Sequence, residues 1–399
     1  MAVLLPSNSS DHHFSISNII SKFRSKKRAG TRGHIERIQH EEVVLDTRPS
    51  LIAAPLSLVL PEHQQTLSNL GWTTVTFPQP ASEATASSLE DHHLAPGSHP
   101  LQQAYESLFA ASQAFFDQSD EEKTIWKHKL GSEEGWSKIQ GEKEFITLRT
   151  LEYCPEVLRG PAERYWNLMG AHLSSTLGRI STSLGLPDGE EQGLRQFVGP
   201  CGTMQSTDAT KTATMLRLFR YEGWDAKVVA EPHSDLGLLS MVVGNVPGLE
   251  VWDGRTWFDV EREVEKSGKK GASMLAGRQL ERLSNGRYPA GGHRVVSYGL
   301  PGPNLENNTP GNSSGGKRYR FSIVFVLRAH EPTIINSDEL ETEVTGKWVE
   351  PIQGVTAGKF YEEIRGRHYN INIDVKEREK QRRRVKSGAG KGRKGEGRS

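Results

Sequence analysis

HSDLGLLSMVVGNVPGLEVWDGRTWFDV, residues 233–260, is the stretch whose reading decides the fold. Its short β-rich runs, Leu238–Val243, Leu249–Trp252 and Thr256–Val260, are parted by Gly, Pro, Asn and Asp, the residues that turn a chain. Asp253-Gly254, between LEVW and RTWF, predicts a two-residue hairpin turn. At the head of the stretch stands His-Ser-Asp. Side chains alternate on a strand, so His233 and Asp235 are expected on one face, where a single metal ion could touch both.

The same texture continues on both sides. Thr214–Tyr221, Ala272–Leu275, His293–Tyr298 and Arg320–Leu327 read as further short strands, and PGPNLENNTPGNSSGG (301–316) as an insertion joining the last two. Short strands at this spacing predict a mainly β fold, an antiparallel barrel or sandwich, with surrounding helices. Upstream, Leu67 and Leu70 suggest a helix running into the strand GWTTVTF (71–77), and residues 80–100 read as a loop. Leu101, Tyr105, Leu108, Ala111 and Phe115 predict an amphipathic helix over 101–117. Ser119 with Glu122 resembles a capping box that restarts a short helix, and Pro161 is read as a first-turn proline of a longer one carrying Tyr165, Met169, Leu173 and Leu177. A last helix is expected at Ala357–Arg365.

Length and charge bound the rest. A chain of 399 residues can bury one large core or two smaller ones, and 35% hydrophobic with 25% charged residues suits a globular protein. No apolar run is long enough to span a membrane, and MAVLLPSNSSDHHF lacks a basic secretory n-region. Cys154 and Cys201 are too few for a disulfide framework and are expected to be reduced, in a cytoplasmic setting. The net charge of +1 is uneven: Lys376–Ser399 holds eleven Lys or Arg against three Glu, or +8. A second basic cluster spans Lys22 to Arg32. Such runs contact nucleic acid or an import receptor in some proteins, which admits a nuclear location, but solvated ends are the plainer reading. The expected organisation is a polar arm (1–49), a helix-rich region (50–200), a β core (201–335), a helical cap (336–375) and a disordered basic tail (376–399).

The chemistry rests on a few side chains. His233 and Asp235 need a third ligand, and His293 in GGHRVVSYG heads a later strand. Two His and one carboxylate on one face of an octahedral ion form the facial triad of non-haem Fe(II) oxygenases. Zinc is a rival for this ligand set, although no H-E-x-x-H helix is present. After the distal His comes RYRFSIVFVL, in which Arg320 and Ser322 lie two apart on a strand. A guanidinium beside a hydroxyl makes a receptor for the carboxylate of a small ligand.

These strings, with GASMLAGRQLERLSNGRYPAGGHRV between them, resemble the isopenicillin N synthase-like group of 2-oxoglutarate/Fe(II)-dependent dioxygenases. The resemblance is strong over 214–332, fainter upstream, and does not cover 1–49 or the tail. It implies a double-stranded β-helix (jelly roll) core with a helical N-terminal region. It also implies iron held by His233, Asp235 and His293, and 2-oxoglutarate bound by Arg320 and Ser322 with Tyr221. The family often carries Asn-x-Tyr before the H-x-D motif; here Phe219 replaces the asparagine, and Glu-Gly-Trp replaces the prolines that usually follow. The implied reaction consumes 2-oxoglutarate and O2, releases succinate and CO2, and hydroxylates, desaturates or cyclises a small organic substrate. Two other readings stay open: an oxidase of the same fold that does without 2-oxoglutarate, and a non-catalytic binding module with basic tails. Neither the substrate nor the oligomeric state is legible.

Overall fold

In a computed structural model, which describes residues 46–77, 99–127, 133–222, 226–266, 268–298, 319–368, 370–373 and 375–388, the β-rich runs pair into two facing antiparallel sheets. In chain order the strands are β1 (Trp72–Phe77), β2 (Gly135–Ile139), β3 (Lys143–Leu148), β4 (Met215–Glu222), β5 (Ala226–His233) and β6 (Leu239–Gly244). They continue as β7 (Leu249–Trp252), β8 (Trp257–Asp259), β9 (Lys270–Ala276), β10 (His293–Tyr298) and β11 (Tyr319–Leu327). The larger sheet runs β1-β9-β6-β11-β4-β3-β2 and the smaller β5-β10-β7-β8. This is the expected jelly roll. A minor ribbon pairs Ile334–Ile335 with Val355–Thr356.

Strand alternation sorts the side chains into two cores. One face of the larger sheet presents Ile146, Leu218, Ile323 and Phe325 to two long helices, α2 (Pro100–Phe116) and α4 (Glu156–Ser183). Tyr165 and Trp166 of α4 are fully buried, and both meet Phe325 edge-on. The opposite face, with Phe145, Phe219, Tyr221 and Val242, looks across at Val229, Val251 and Val295 of the smaller sheet. That inner space holds the site.

The sequence reading and the structure part at several places. The helix-rich first half supplies β1, β2 and β3, so the boundary at residue 200 cuts through the larger sheet. The strands β2, β3 and β5 are absent from the sequence reading because their alternation is broken by charged residues that turn out to be buried or paired. Helix α4 starts at Glu156 with Pro155 at its N-cap, which leaves Pro161 inside the helix and not in its first turn. Proline there removes one backbone donor, a loss the buried stripe from Leu158 to Ile180 outweighs. The β7–β8 hairpin forms, but Trp252 pairs with Trp257, so the loop is four residues long. Asp253 makes it so, its Oδ1 accepting from the backbone N–H groups of Arg255 and Thr256. The capping box is present, with Ser119 and Glu122 exchanging hydrogen bonds at α3 (Asp120–Thr124).

Residues 376–388, assigned by composition to a disordered basic tail, belong to a helix, Val375–Gly388. Its Arg378 is only 4% exposed and bridges Glu142, after β2, to Glu231 of β5, at 2.7 and 3.5 Å. Carboxylates far away in sequence therefore order this segment. The expected arm up to residue 45, most of the 80–100 loop, the 301–316 insertion and the last eleven residues lie outside the described residues.

Helix α4 crosses the Gly199–Gly202 turn at Gly170, where an added Cβ would stand 1.9 Å from the Gly202 carbonyl oxygen. Backbone cannot retreat as a flexible side chain can. Gly170→Ala is expected to lower stability by about 3 kcal/mol, the upper range for overpacking a core. A urea midpoint shifted to lower concentration at unchanged slope would register it.

Candidate metal centre

Antiparallel pairing of β5 with β10 places His293 directly opposite His233, with ring centroids 4.1 Å apart. Asp235 is not on the strand with His233 as the sequence reading expects: β5 ends at His233 and the chain turns. The turn still returns the carboxylate to the histidines, and Asp235 Oδ2 lies 4.0 Å from His293 Nε2. One ligand atom from each of the three residues falls within 4.8 Å of the others.

Packing holds this turn in place. The Asp235 carbonyl accepts from the Arg278 N–H at 2.8 Å. Gly237 passes so close to the end of β11 that a Cβ would meet the Leu327 carbonyl oxygen at 2.5 Å. The imidazoles are oriented from behind. Nδ1 of His233 faces the Glu231 carbonyl at 2.7 Å, and Nδ1 of His293 faces that of Gly291 at 3.1 Å. A carbonyl can only accept, so each Nδ1 carries the proton and each Nε2 lone pair is left for a metal. Asp235 Oδ2 is buried with no hydrogen-bond partner. Burial, followed by the nearby His293 imidazole, pushes His233 down to about 3, which keeps it neutral. Asp235 stays below the usual carboxylate range: burial opposes this, but the two imidazoles prevail. A carboxylate with an unsatisfied oxygen, facing two imidazole Nε2 atoms, fits a divalent cation.

The second group lies across from it, on the inner face of the larger sheet. Arg320 of β11 stands opposite Tyr221 of β4, and Ser322 opposite Phe219. The guanidinium carbon is 5.5 Å from the Tyr221 ring centroid, and Tyr221 stacks on Phe219 at 5.2 Å. Burial raises the Tyr221 phenol above its ordinary range. Arg320 is 5% exposed, and its Nη2 meets both oxygens of Glu261 at 3.0 and 2.8 Å. Its Nε donates to the Val246 carbonyl at 3.2 Å. Arg320 Nη1 and Ser322 Oγ are buried without partners. The receptor foreseen in the sequence is thus half engaged by an internal acid, and two donors remain.

Glu261 has no sequence signal, since nothing in WFDVERE marks which acid turns inward. Glycine makes room for it: a Cβ on Gly244 would stand 2.3 Å from Glu261 Oε1, and one on Gly248 would stand 2.6 Å from Arg320 Nε. Arg217, Arg328 and Lys143 also go unseen in the sequence. Arg328, 5% exposed just past β11, pairs with Glu133 at 2.6 Å. Burial works against an ionised Glu133, but Arg328 holds it at about 2.

No family model matches the chain. A stretch of 87 residues is 34% identical to a protein named probable flavonol synthase 6 from Arabidopsis thaliana, covering 22% of this chain and 28% of that one. The chain therefore spans under a third of the length of that relative. A solved structure of a 2OG-Fe(II) oxygenase family protein from Caulobacter crescentus superposes with a TM-score of 0.52 at 19% identity, covering 76% of this chain and 92% of that one. JOX2, solved in complex with 2OG, Fe and JA, gives 0.51 at 16% identity over 75% of this chain and 78% of its own. The chain has the fold of the 2-oxoglutarate/Fe(II) oxygenases, and its resemblance to their isopenicillin N synthase-like group is supported by that fold and by the flavonol synthase match.

Proposed function

We propose that this chain is a 2-oxoglutarate- and Fe(II)-dependent oxygenase acting on a small organic molecule. The observation that carries the reading is the joint presence of a His233–Asp235–His293 cluster at the smaller sheet and, on the facing side of the larger sheet, the donors Arg320 Nη1 and Ser322 Oγ, which have no hydrogen-bond partner among the described residues. In this reading His233, Asp235 and His293 would hold the metal. Arg320 Nη1 and Ser322 Oγ donate to the distal carboxylate of the keto acid, and the Tyr221 ring forms one wall of its slot. With both bound, iron and 2-oxoglutarate supply O2-dependent oxidation of a C–H bond coupled to release of succinate and CO2. The protein's part is to orient the reactants and keep bulk water out, for which the apolar inner face between the sheets is suited.

A second reading has its own support. Glu261 already neutralises Arg320, as expected of an Fe(II)/O2 oxidase that needs no second carboxylate there. A nucleic-acid role for the basic end is weakened, because Arg378 and Arg382 are occupied by Glu142 and Glu231. No helix of the described residues is long and apolar enough to cross a membrane.

An anaerobic titration with Fe(II) and then 2-oxoglutarate tests the proposal. The visible charge-transfer band of an iron-chelated keto acid is expected with wild type and not with His293→Ala. Bound iron without the band would favour the oxidase. His233→Ala and Asp235→Ala are expected to lose iron binding by direct metal assay, and full turnover by His233→Ala would overturn the reading. Arg320→Ala is expected to bind iron normally but to weaken 2-oxoglutarate binding about tenfold to a hundredfold, the worth of a charge-assisted hydrogen bond.

A further inference from the structure

The inner face of the larger sheet carries two cations that the metal centre and the Arg320 receptor leave unused. Lys143 of β3 is 1% exposed, and its Nζ has no hydrogen-bond partner among the described residues. An isolated buried ammonium is costly, so native proteins pair it or give it a task. Its neighbour along the strand shows the contrast. Glu144 faces the opposite way and is fully engaged, by Lys123 at 3.0 Å, the Trp136 indole at 2.9 Å and Arg220. Glu142 and Glu231, the carboxylates whose charge reaches Lys143, are bound to Arg378, and Glu231 to Arg382 as well. Burial, with the Arg378 charge behind it, pulls Lys143 down to about 7, a cost that a bound anion would relieve.

Arg217 of β4 is the second cation. Its Nε donates to Thr147 Oγ1 at 2.7 Å, and among the described residues no carboxylate forms an ion pair with it. Cross-strand register sets Thr147 opposite Arg217, Phe145 opposite Phe219 and Lys143 opposite Tyr221. Two phenyl rings with centroids 5.5 Å apart therefore lie between the cations, Lys143 over Phe219 at 5.7 Å and Arg217 over Phe145 at 5.4 Å. From Lys143 to Thr147 the strand extends about 13 Å, the scale of a one- or two-ring molecule. Both cations lie within electrostatic reach of the metal cluster, Lys143 of His233 and Arg217 of Asp235.

We infer that Lys143 and Arg217, with Phe145 and Phe219 between them, bind the primary substrate, a small organic acid with a flat apolar body. This rests on the oxygenase reading only in calling the ligand a substrate; the anion site stands on its own side chains. The phenyl pair takes the body and Lys143 the acid group, while Arg217 guides the acid inward or takes a second polar group.

The test compares carboxylates with their own amides, which keep the body and drop the charge. Phenylacetate, cinnamate and 2-naphthoate, each against its amide, are titrated calorimetrically into the full-length protein with and without Mn(II). At least one acid is expected to bind wild type tenfold or more tightly than its amide. That ratio should fall to near one in Lys143→Met, fall several-fold in Arg217→Leu and persist in Lys143→Arg, with 2-oxoglutarate affinity unchanged throughout. Lys143→Met is also expected to melt at a higher temperature than wild type, because an unpaired buried charge is gone; a residue serving only the fold would give a lower one. Absence of any acid preference in wild type, a preference that survives Lys143→Met, or a loss of 2-oxoglutarate affinity in its place would overturn the inference. An acid preference in a protein that binds no Mn(II) would leave the anion site standing and remove the metal centre.

Discussion

The antiparallel register of β5 and β10 is the constraint from which the site follows. It sets His233 and His293 face to face from positions sixty residues apart. A slip of one residue in either strand would turn one imidazole to the outside of the smaller sheet, since side chains alternate with a period of two. The backbone carbonyls of Glu231 and Gly291 depend on the same register, because each sits two residues before its histidine and fixes the tautomer. Asp235 adds the carboxylate of the cluster. It is held by a turn that Gly237 allows to tuck under β11, so the carboxylate is placed by backbone contacts that tolerate no side chain.

The larger sheet carries buried charges on both faces, some of them paired and some not. Glu133 with Arg328, and Glu144 with Lys123 and Arg220, are ion pairs that lock loops and helices to the larger sheet. Buried ions of this kind are costly to break and add little when intact. Asp235 Oδ2, Arg320 Nη1, Ser322 Oγ and Lys143 Nζ are different, each buried with nothing to bond. All four sit on or beside the inner face, so the interior is polar where a ligand would lie and apolar elsewhere. The Arg378 clamp adds a boundary: by drawing Glu142 and Glu231 together it joins the edge of the larger sheet to the edge of the smaller one.

Much of this was legible in the chain. Strand alternation and turn residues predicted eight strands close to their observed limits, and the Ser119–Glu122 box marked its helix start. His233, Asp235, His293, Arg320, Ser322 and Tyr221 could be named because each belongs to a short local string. The errors have local causes. Asp235 was placed on a strand because a period of two cannot distinguish a strand from a turn that happens to return to the same side. Pro161 was read as a helix start because propensity cannot weigh a proline against the burial of the stripe around it. Residues 376–388 read as disordered because composition counts their charges but not the carboxylates that meet them.

The sequence by itself determined the strand periodicity, the helix caps and which short motifs are candidates for the site, because these depend on residues within a few positions of one another. Tertiary structure alone decided which charges are paired. Glu261 reaches Arg320 across fifty-nine residues, Arg378 reaches Glu142 across 236, and Lys143 Nζ finds no hydrogen-bond partner among the described residues. The energy of a charge depends on what surrounds it in space, and neither composition nor spacing along the chain specifies those surroundings.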